Sequence, residues 1–283
     1  FRDAGFAVLA FDYRYWGESG GEPRQLIWIP DQVADLAAAI DYARGREELD
    51  PSRIALWGTS FGGGHVVTAA ADDHEIGAVI AQVPFLDGLA AYELEQEGDT
   101  IGLSLLTLMH AQRDIARSWL GLSPNAIPIV GRPGTIAMMA GQEAWDFFAA
   151  HAPEGFVNEV PARIMIRADK YRPIKSAGDV QCPVLLQMAE RDRFVPASAI
   201  EATARVLGDR ATLKRYDIGH FDIYSGDAFE QSVADQVALA LENARLRGQA
   251  EQAAAYAERS RLARELHDSV TQSLYSITLY SEA

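Results

Sequence analysis

Short apolar runs recur along the chain, and stretches with helical spacing separate them. Phe1 to Gly5 reads as the tail of a helix that stops at a glycine. Phe6 to Asp12 (F-A-V-L-A-F-D) is apolar almost throughout, which predicts a buried parallel strand. Asp31 to Arg44 places Val33, Leu36, Ala37 and Ile40 at helical spacing, with Asp31 after Pro30 as cap or first-turn acid. Asp50-Pro51-Ser52 turns the chain into a second apolar run, Ile54 to Trp57, and His65 onward is helix-like. A further buried strand is predicted at Ile76 to Val83, the sheet resumes at Pro183 to Met188, and Ala211 to Ile218 reads as its last strand. Alternation of strand and helix at this spacing predicts an α/β fold with a mostly parallel sheet. Residues from about 86 to 178 break the rhythm: Thr100 to Leu120 and Gly141 to Ala150 read as helices around a Pro/Gly-rich stretch at 124–134. Asp227 to Val237 predicts a closing helix, and helical composition then continues to the end, interrupted only by Gly248.

Composition narrows the classes. A hydrophobic content of 48% supports a real core, and a net charge of −15 argues against nucleic acid or an anionic membrane as partner. The single cysteine, Cys182, excludes an internal disulfide and fits a reducing, cytoplasmic setting; it precedes the run Pro183-Val184-Leu185-Leu186 and reads as a small buried residue. No run approaches the 18 apolar residues of a membrane span, and no signal peptide is visible. The first residue is Phe1, so the sequence reads as a fragment. Neither G-x-G-x-x-G nor G-x-x-x-x-G-K-[ST] is present, and no cofactor or metal is implied.

The chemistry centres on Gly58-Thr59-Ser60-Phe61-Gly62. An apolar strand before this G-x-S-x-G and a helix after it are the context of a nucleophile elbow. Ser60 is expected on a strained turn with its hydroxyl exposed, and side chains at 58 or 62 are expected to crowd that turn. The stretch "F-D-Y-R-x-x-G-x-S-x-G" from Phe11 resembles the fourth strand and following loop of the α/β-hydrolase superfamily. Its extension G-E-P-R-Q resembles a bacterial subgroup near dienelactone hydrolases and S9/S15-type peptidase relatives. "E-R-D-x-x-V-P" at Glu190 to Pro196 is similar to the superfamily's acid loop, with Asp192 at the acid position and Glu190 and Asp87 as rival carboxylates. Gly219-His220-Phe221 resembles its catalytic-histidine loop. The order Ser60, Asp192, His220 matches that of the fold, and each follows a predicted strand.

The resemblance implies a hydrolase acting on an ester, lactone or peptide-like bond of a small acyl substrate. Ser60 would attack the acyl carbon, His220 would relay the proton, and Asp192 would hold the imidazole. The backbone N–H of Phe61 would donate to the oxyanion. The insertion at 86–178 resembles a cap that shapes substrate choice; His110 and His151 fall in it, away from strand ends, and read as surface or core residues. The superfamily's second oxyanion donor follows its third strand, which lies between the fourth and fifth. Nothing before Phe6 matches either, so this chain alone is expected to hydrolyse poorly.

The C-terminus carries a different signature. Val237 to Leu246 resembles the closing helix of a GAF sensor domain, and Glu258 to Gln272 resembles the H-box of NarL-type sensor histidine kinases. Leu262, Leu266, Ser269 or Val270, Ser273 or Leu274, and Ile277 follow a 4-3-4-3 rhythm, a seam suited to a helical dimer. In that family His267 would accept the phosphoryl group, Asp268 would orient or deprotonate it, and the Asp268/Gln272 pair is associated with dephosphorylating a response-regulator receiver domain. The sequence shows no ATP-binding domain, so this chain alone is expected not to phosphorylate His267. The expected organisation is a hydrolase domain at 1–232, a signalling helix at 233–257 and a partial phosphoacceptor helix at 258–283. The alternative function is a truncated sensor kinase with a hydrolase-like input domain.

Overall fold

The structure, a computed structural model, describes residues 1–96 and 101–281, with side chains up to Leu262 apart from some helical positions. The chain falls into two compact units, Phe1–Gln236 and Val237–Ala283.

The first unit is built on α1 (Ile29–Arg44), β1 (Ala55–Thr59), α2 (Phe61–Asp72) and β2 (Ala78–Gln82). An insertion follows, with α3 (Gly88–Gln96), α4 (Ile101–Trp119) and α5 (Gln142–His151). It holds two short strand pairs, β3 (Ala126–Ile127) with β6 (Val160–Pro161) and β4 (Val130–Gly131) with β5 (Met139–Ala140). The sheet then resumes with β7 (Val184–Ala189), α6 (Ala197–Leu207) and β8 (Ala211–Tyr216). Its order is β1-β2-β7-β8, all parallel, with Trp57 opposite Ile80 and Leu185 opposite Thr212. Burial follows position in the sheet. The central strands β2 and β7 are buried at every residue, as helices on both faces require; as edge strands, β1 alternates between exposed and buried residues and β8 is half-buried or exposed up to Tyr216.

The predicted strand at Phe6–Asp12 does not form. These residues join no ladder, and Val8, Leu9 and Phe11 are 61%, 49% and 39% exposed. No described strand lies between them and β1 to supply backbone partners, and an apolar run without a ladder is not a strand. The segment after it is held differently: Arg14 pairs with Asp35 of α1, and the Asp12 carboxylate accepts the Glu18 N–H.

Two buried glutamines sit side by side in the sheet, Gln82 opposite Gln187. Buried amides are costly unless bonded. Gln187 donates to Tyr216 Oη and the Ser232 carbonyl, accepts from Gln236, and Gln236 in turn accepts from the Trp57 indole. This network seats the first turns of α7 (Gly226–Ser281) on the sheet. In the insertion, Asp114 of α4 is fully buried against Arg163, with N–H groups of Arg163 and Asn125 completing its shell. A carboxylate so enclosed is tolerated only because donors meet it from several sides. Cys182 is buried in the main core. Among the described residues no helix is long and apolar enough to cross a membrane.

Candidate active site

Ser60 sits between β1 and α2 at φ 51° and ψ −119°, a torsion that side-chain-bearing residues rarely adopt. Backbone bonds hold it there. Its N–H donates to the Gln82 carbonyl at 2.9 Å, and its own carbonyl accepts from Phe85 at 2.8 Å and Gly63 at 3.0 Å. A Cβ at Gly58 would run into the carbonyl oxygen of Gly62, so that glycine is required. Gly62 differs from expectation: a Cβ there meets open space. The crowding falls on the next two residues. A Cβ at Gly63 would come within 2.7 Å of Pro84 Cβ, and one at Gly64 would strike the Phe85 carbonyl. These two glycines let α2 pack directly on the chain leaving β2.

His220 lies beyond β8, and Asp192 beyond β7. The three side chains meet. His220 Nε2 is 3.1 Å from Ser60 Oγ, and His220 Nδ1 is 2.6 Å from Asp192 Oδ2. The His220 and Asp192 side chains are 3% and 1% exposed. Asp192 Oδ1 accepts the N–H groups of Phe194 and Val195, so the carboxylate is fixed by its own loop. Phe194, Phe221 and Tyr224 surround the imidazole with ring centroids 5.0–6.2 Å away. The rival carboxylates point elsewhere: Asp87 is clasped by Arg172 and Glu190 faces Arg215. His110 bonds Asn125, and His151 bonds the Phe147 carbonyl on the surface. Phe61 opens α2, where first-turn N–H groups lack intrahelical acceptors. Among the described residues no cluster of His, Cys, Asp and Glu could hold a metal.

A cavity of about 990 Å³ opens over Ser60 and His220. Phe61, Met138, Met139 and Met165 give it an apolar wall, three of them from the insertion. The sequence offered no pointer to two further groups. Glu143 of α5 accepts the Phe221 N–H at 3.0 Å, and Gly219 packs so closely on its carboxylate that a Cβ would lie 2.5 Å from Oε1. Phe147, one turn further along α5, stacks on Phe221 at 4.9 Å. The helix of the insertion therefore braces the loop that carries His220.

The second group is His65 of α2, buried beside the cavity. It lies between the Tyr171 hydroxyl at 2.8 Å and Gln32 Oε1 at 3.0 Å. Burial pushes its pKa down to about 4 and pushes that of Tyr171 up. Gln32 was findable: it occupies the buried stripe Gln32, Leu36, Ile40 of α1, a polar residue at an apolar position. A histidine with a lowered native pKa makes stability depend on pH. The unfolded chain binds its proton near pH 6.5 and the folded one does not. Stability from this group is complete above that value and falls as pH drops toward about 4. Replacing His65 with glutamine is expected to flatten this part of the pH–stability curve by up to about 1.4 kcal/mol per pH unit, measured by urea unfolding at several pH values.

His267, Asp268 and Gln272 lie on α7 outside the residues whose side chains are described.

Comparison with known proteins places this geometry. The family model for the alpha/beta hydrolase fold matches residues 1–114. The quorum-quenching protein AidA of Acinetobacter baumannii (strain MDR-ZJ06) is 39% identical over 235 residues, covering 82% of this chain and 76% of that protein. The chain belongs to the α/β-hydrolase family. Thiohydrolase aneE of Aspergillus aculeatus is 34% identical over 257 residues, 84% of this chain and 76% of that protein. The crystal structure of the α/β hydrolase GrgF from Penicillium sp. sh18 superposes with a TM-score of 0.67, covering 82% of this chain and 78% of that one; at 24% identity it speaks for the fold. α/β-Hydrolases carry their nucleophile on a turn between strand and helix, as Ser60 stands between β1 and α2. A histidine kinase family model matches residues 258–283, beyond the α/β-hydrolase unit.

Proposed function

We propose that the first unit is a serine hydrolase that cleaves an ester, thioester, lactone or peptide-like acyl bond. The observation that carries this reading is the chain of contacts Ser60–His220–Asp192, at 3.1 Å and 2.6 Å, at the floor of an apolar cavity. Asp192 accepts the Nδ1–H of His220, which leaves Nε2 as an acceptor for the Ser60 hydroxyl proton. Ser60 Oγ adds to the acyl carbon as Nε2 takes its proton, and the Phe61 N–H meets the developing oxyanion. Nε2 then protonates the leaving group, and water completes the turnover by the reverse path. The relatives named for quorum quenching and thiohydrolysis support acyl-bond cleavage, and the G-E-P-R-Q stretch supports a place near the dienelactone hydrolases. A fluorophosphonate probe tests the reading: intact mass should gain one adduct, mapped by peptide sequencing to Ser60. A chain that takes no adduct and turns over no p-nitrophenyl ester is not a serine hydrolase.

The match at 258–283 favours a second role for the C-terminal helix. We propose a phosphoacceptor segment with His267 as acceptor and Asp268 and Gln272 as its helpers, dimerising through the helix and facing a receiver domain. A supplied kinase domain of the same family should label His267, and His267→Gln should take no label.

A further inference from the structure

We propose that Gln32 is a specificity-determining hydrogen-bond donor, selecting acyl substrates that carry a second oxygen acceptor, a carbonyl or hydroxyl, on the chain beyond the scissile carbonyl. The inference rests on the hydrolase reading of Ser60 and deepens it. Gln32 lies in the first turn of α1, is 8% exposed, and lines the same cavity as Ser60 and Phe61. One end of its amide is committed: Oε1 faces His65 Nε2 at 3.0 Å. His65 is held neutral by burial and so carries a single ring proton. An amide oxygen only accepts, so that proton sits on Nε2, and Nδ1 accepts from the Tyr171 hydroxyl at 2.8 Å. The relay orients the amide. Its oxygen is turned to the imidazole, and its NH₂ is left for the cavity.

Among the described residues the bond from His65 Nε2 is the side-chain hydrogen bond of this amide, and its nitrogen is paired with no protein acceptor. A donor that opens on a cavity instead of into packed protein is a place for a ligand atom. No charge stands on the relay, because His65 is neutral and Tyr171 has its pKa raised. The complementary group is therefore a neutral oxygen. Met138, Met139 and Met165 line the same cavity, which suits an otherwise aliphatic chain. A pocket built to bond a polar group discriminates strongly against the analogue lacking it, since its own donor is then stranded.

The test compares p-nitrophenyl octanoate with keto-octanoates bearing the second carbonyl at C3, C4 or C5. The wild-type chain should favour at least one keto ester by about tenfold or more in kcat/KM. Gln32→Leu should bring that ratio to within about twofold of unity. Gln32→Glu keeps an oxygen toward His65 while removing the N–H donors, and should lose the preference too; thermal melting establishes that both variants are folded. A wild-type chain labelled at Ser60 that shows no preference, or variants that keep it, overturns the inference and leaves the hydrolase standing. Equal slowing of plain and keto esters in both variants also overturns it, because Gln32 would then serve the shared acyl carbon. Absence of both Ser60 labelling and ester turnover removes the hydrolase reading and this inference together.

Discussion

Ser60→Ala is expected to lower kcat on p-nitrophenyl esters by about 10⁴- to 10⁶-fold and to abolish fluorophosphonate labelling. The size follows from the site's design. In the proposed reaction Oγ is the group that forms the acyl bond, and His220 has no other hydroxyl on its Nε2 side among the described contacts. Removing Oγ leaves His220 and Asp192 in place but with nothing to activate. KM should change little, because the cavity wall of Phe61, Met138, Met139 and Met165 is untouched. Stability should change little or rise, since alanine still has to hold φ 51° but gives up only one hydrogen bond. Residual turnover within tenfold of wild type would show that another residue is the nucleophile.

Asp192→Asn is expected to cost about 10⁴-fold in kcat with the fold intact. Asparagine has one oxygen and one NH₂ where aspartate has two oxygens. The backbone N–H groups of Phe194 and Val195 both point at Oδ1, at 2.7 and 2.8 Å, so the amide oxygen must occupy that side. The NH₂ is then forced toward His220 Nδ1, which has to accept, and the ring proton moves to Nε2. An imidazole protonated on Nε2 cannot take the Ser60 proton. The parallel changes Glu190→Gln and Asp87→Asn are the controls. Both should keep kcat within a few fold, because their carboxylates face Arg215 and Arg172 and not the imidazole. Rates that fall for Glu190→Gln and not for Asp192→Asn would reassign the acid.

Much of this arrangement was legible in the residues. β2 and β7 are buried on both faces, so their sequences are apolar apart from Gln82 and Gln187, and the sheet could be read from them. Ser60, Asp192 and His220 each follow a strand of this parallel sheet, at the strand ends where such sheets place reactive groups. Phe6–Asp12 has the same composition and is not a strand, because a ladder depends on a neighbour that local pattern cannot report. Gly62 belongs to the motif, yet the steric demand lies at Gly58, Gly63 and Gly64; only the packing of α2 against Pro84 and Phe85 shows this. Glu143 and Phe221 are far apart in the chain and meet only in the fold. Gln32 was visible in principle, as the polar member of a buried helical stripe, but its partner His65 becomes evident only when α1 meets α2.

The torsion of Ser60 makes the proposed nucleophile a gauge of the protein's integrity. Its conformation is imposed by the carbonyl of Gln82 and the N–H of Phe85, at the end of a neighbouring strand. Loosening that strand end by even a local opening lets the serine relax to an ordinary backbone conformation, while most of the sheet is still formed. In rising urea the activity should therefore vanish before the helical circular dichroism signal does. The chemistry would report the first loss of order, ahead of any probe that averages over the whole chain.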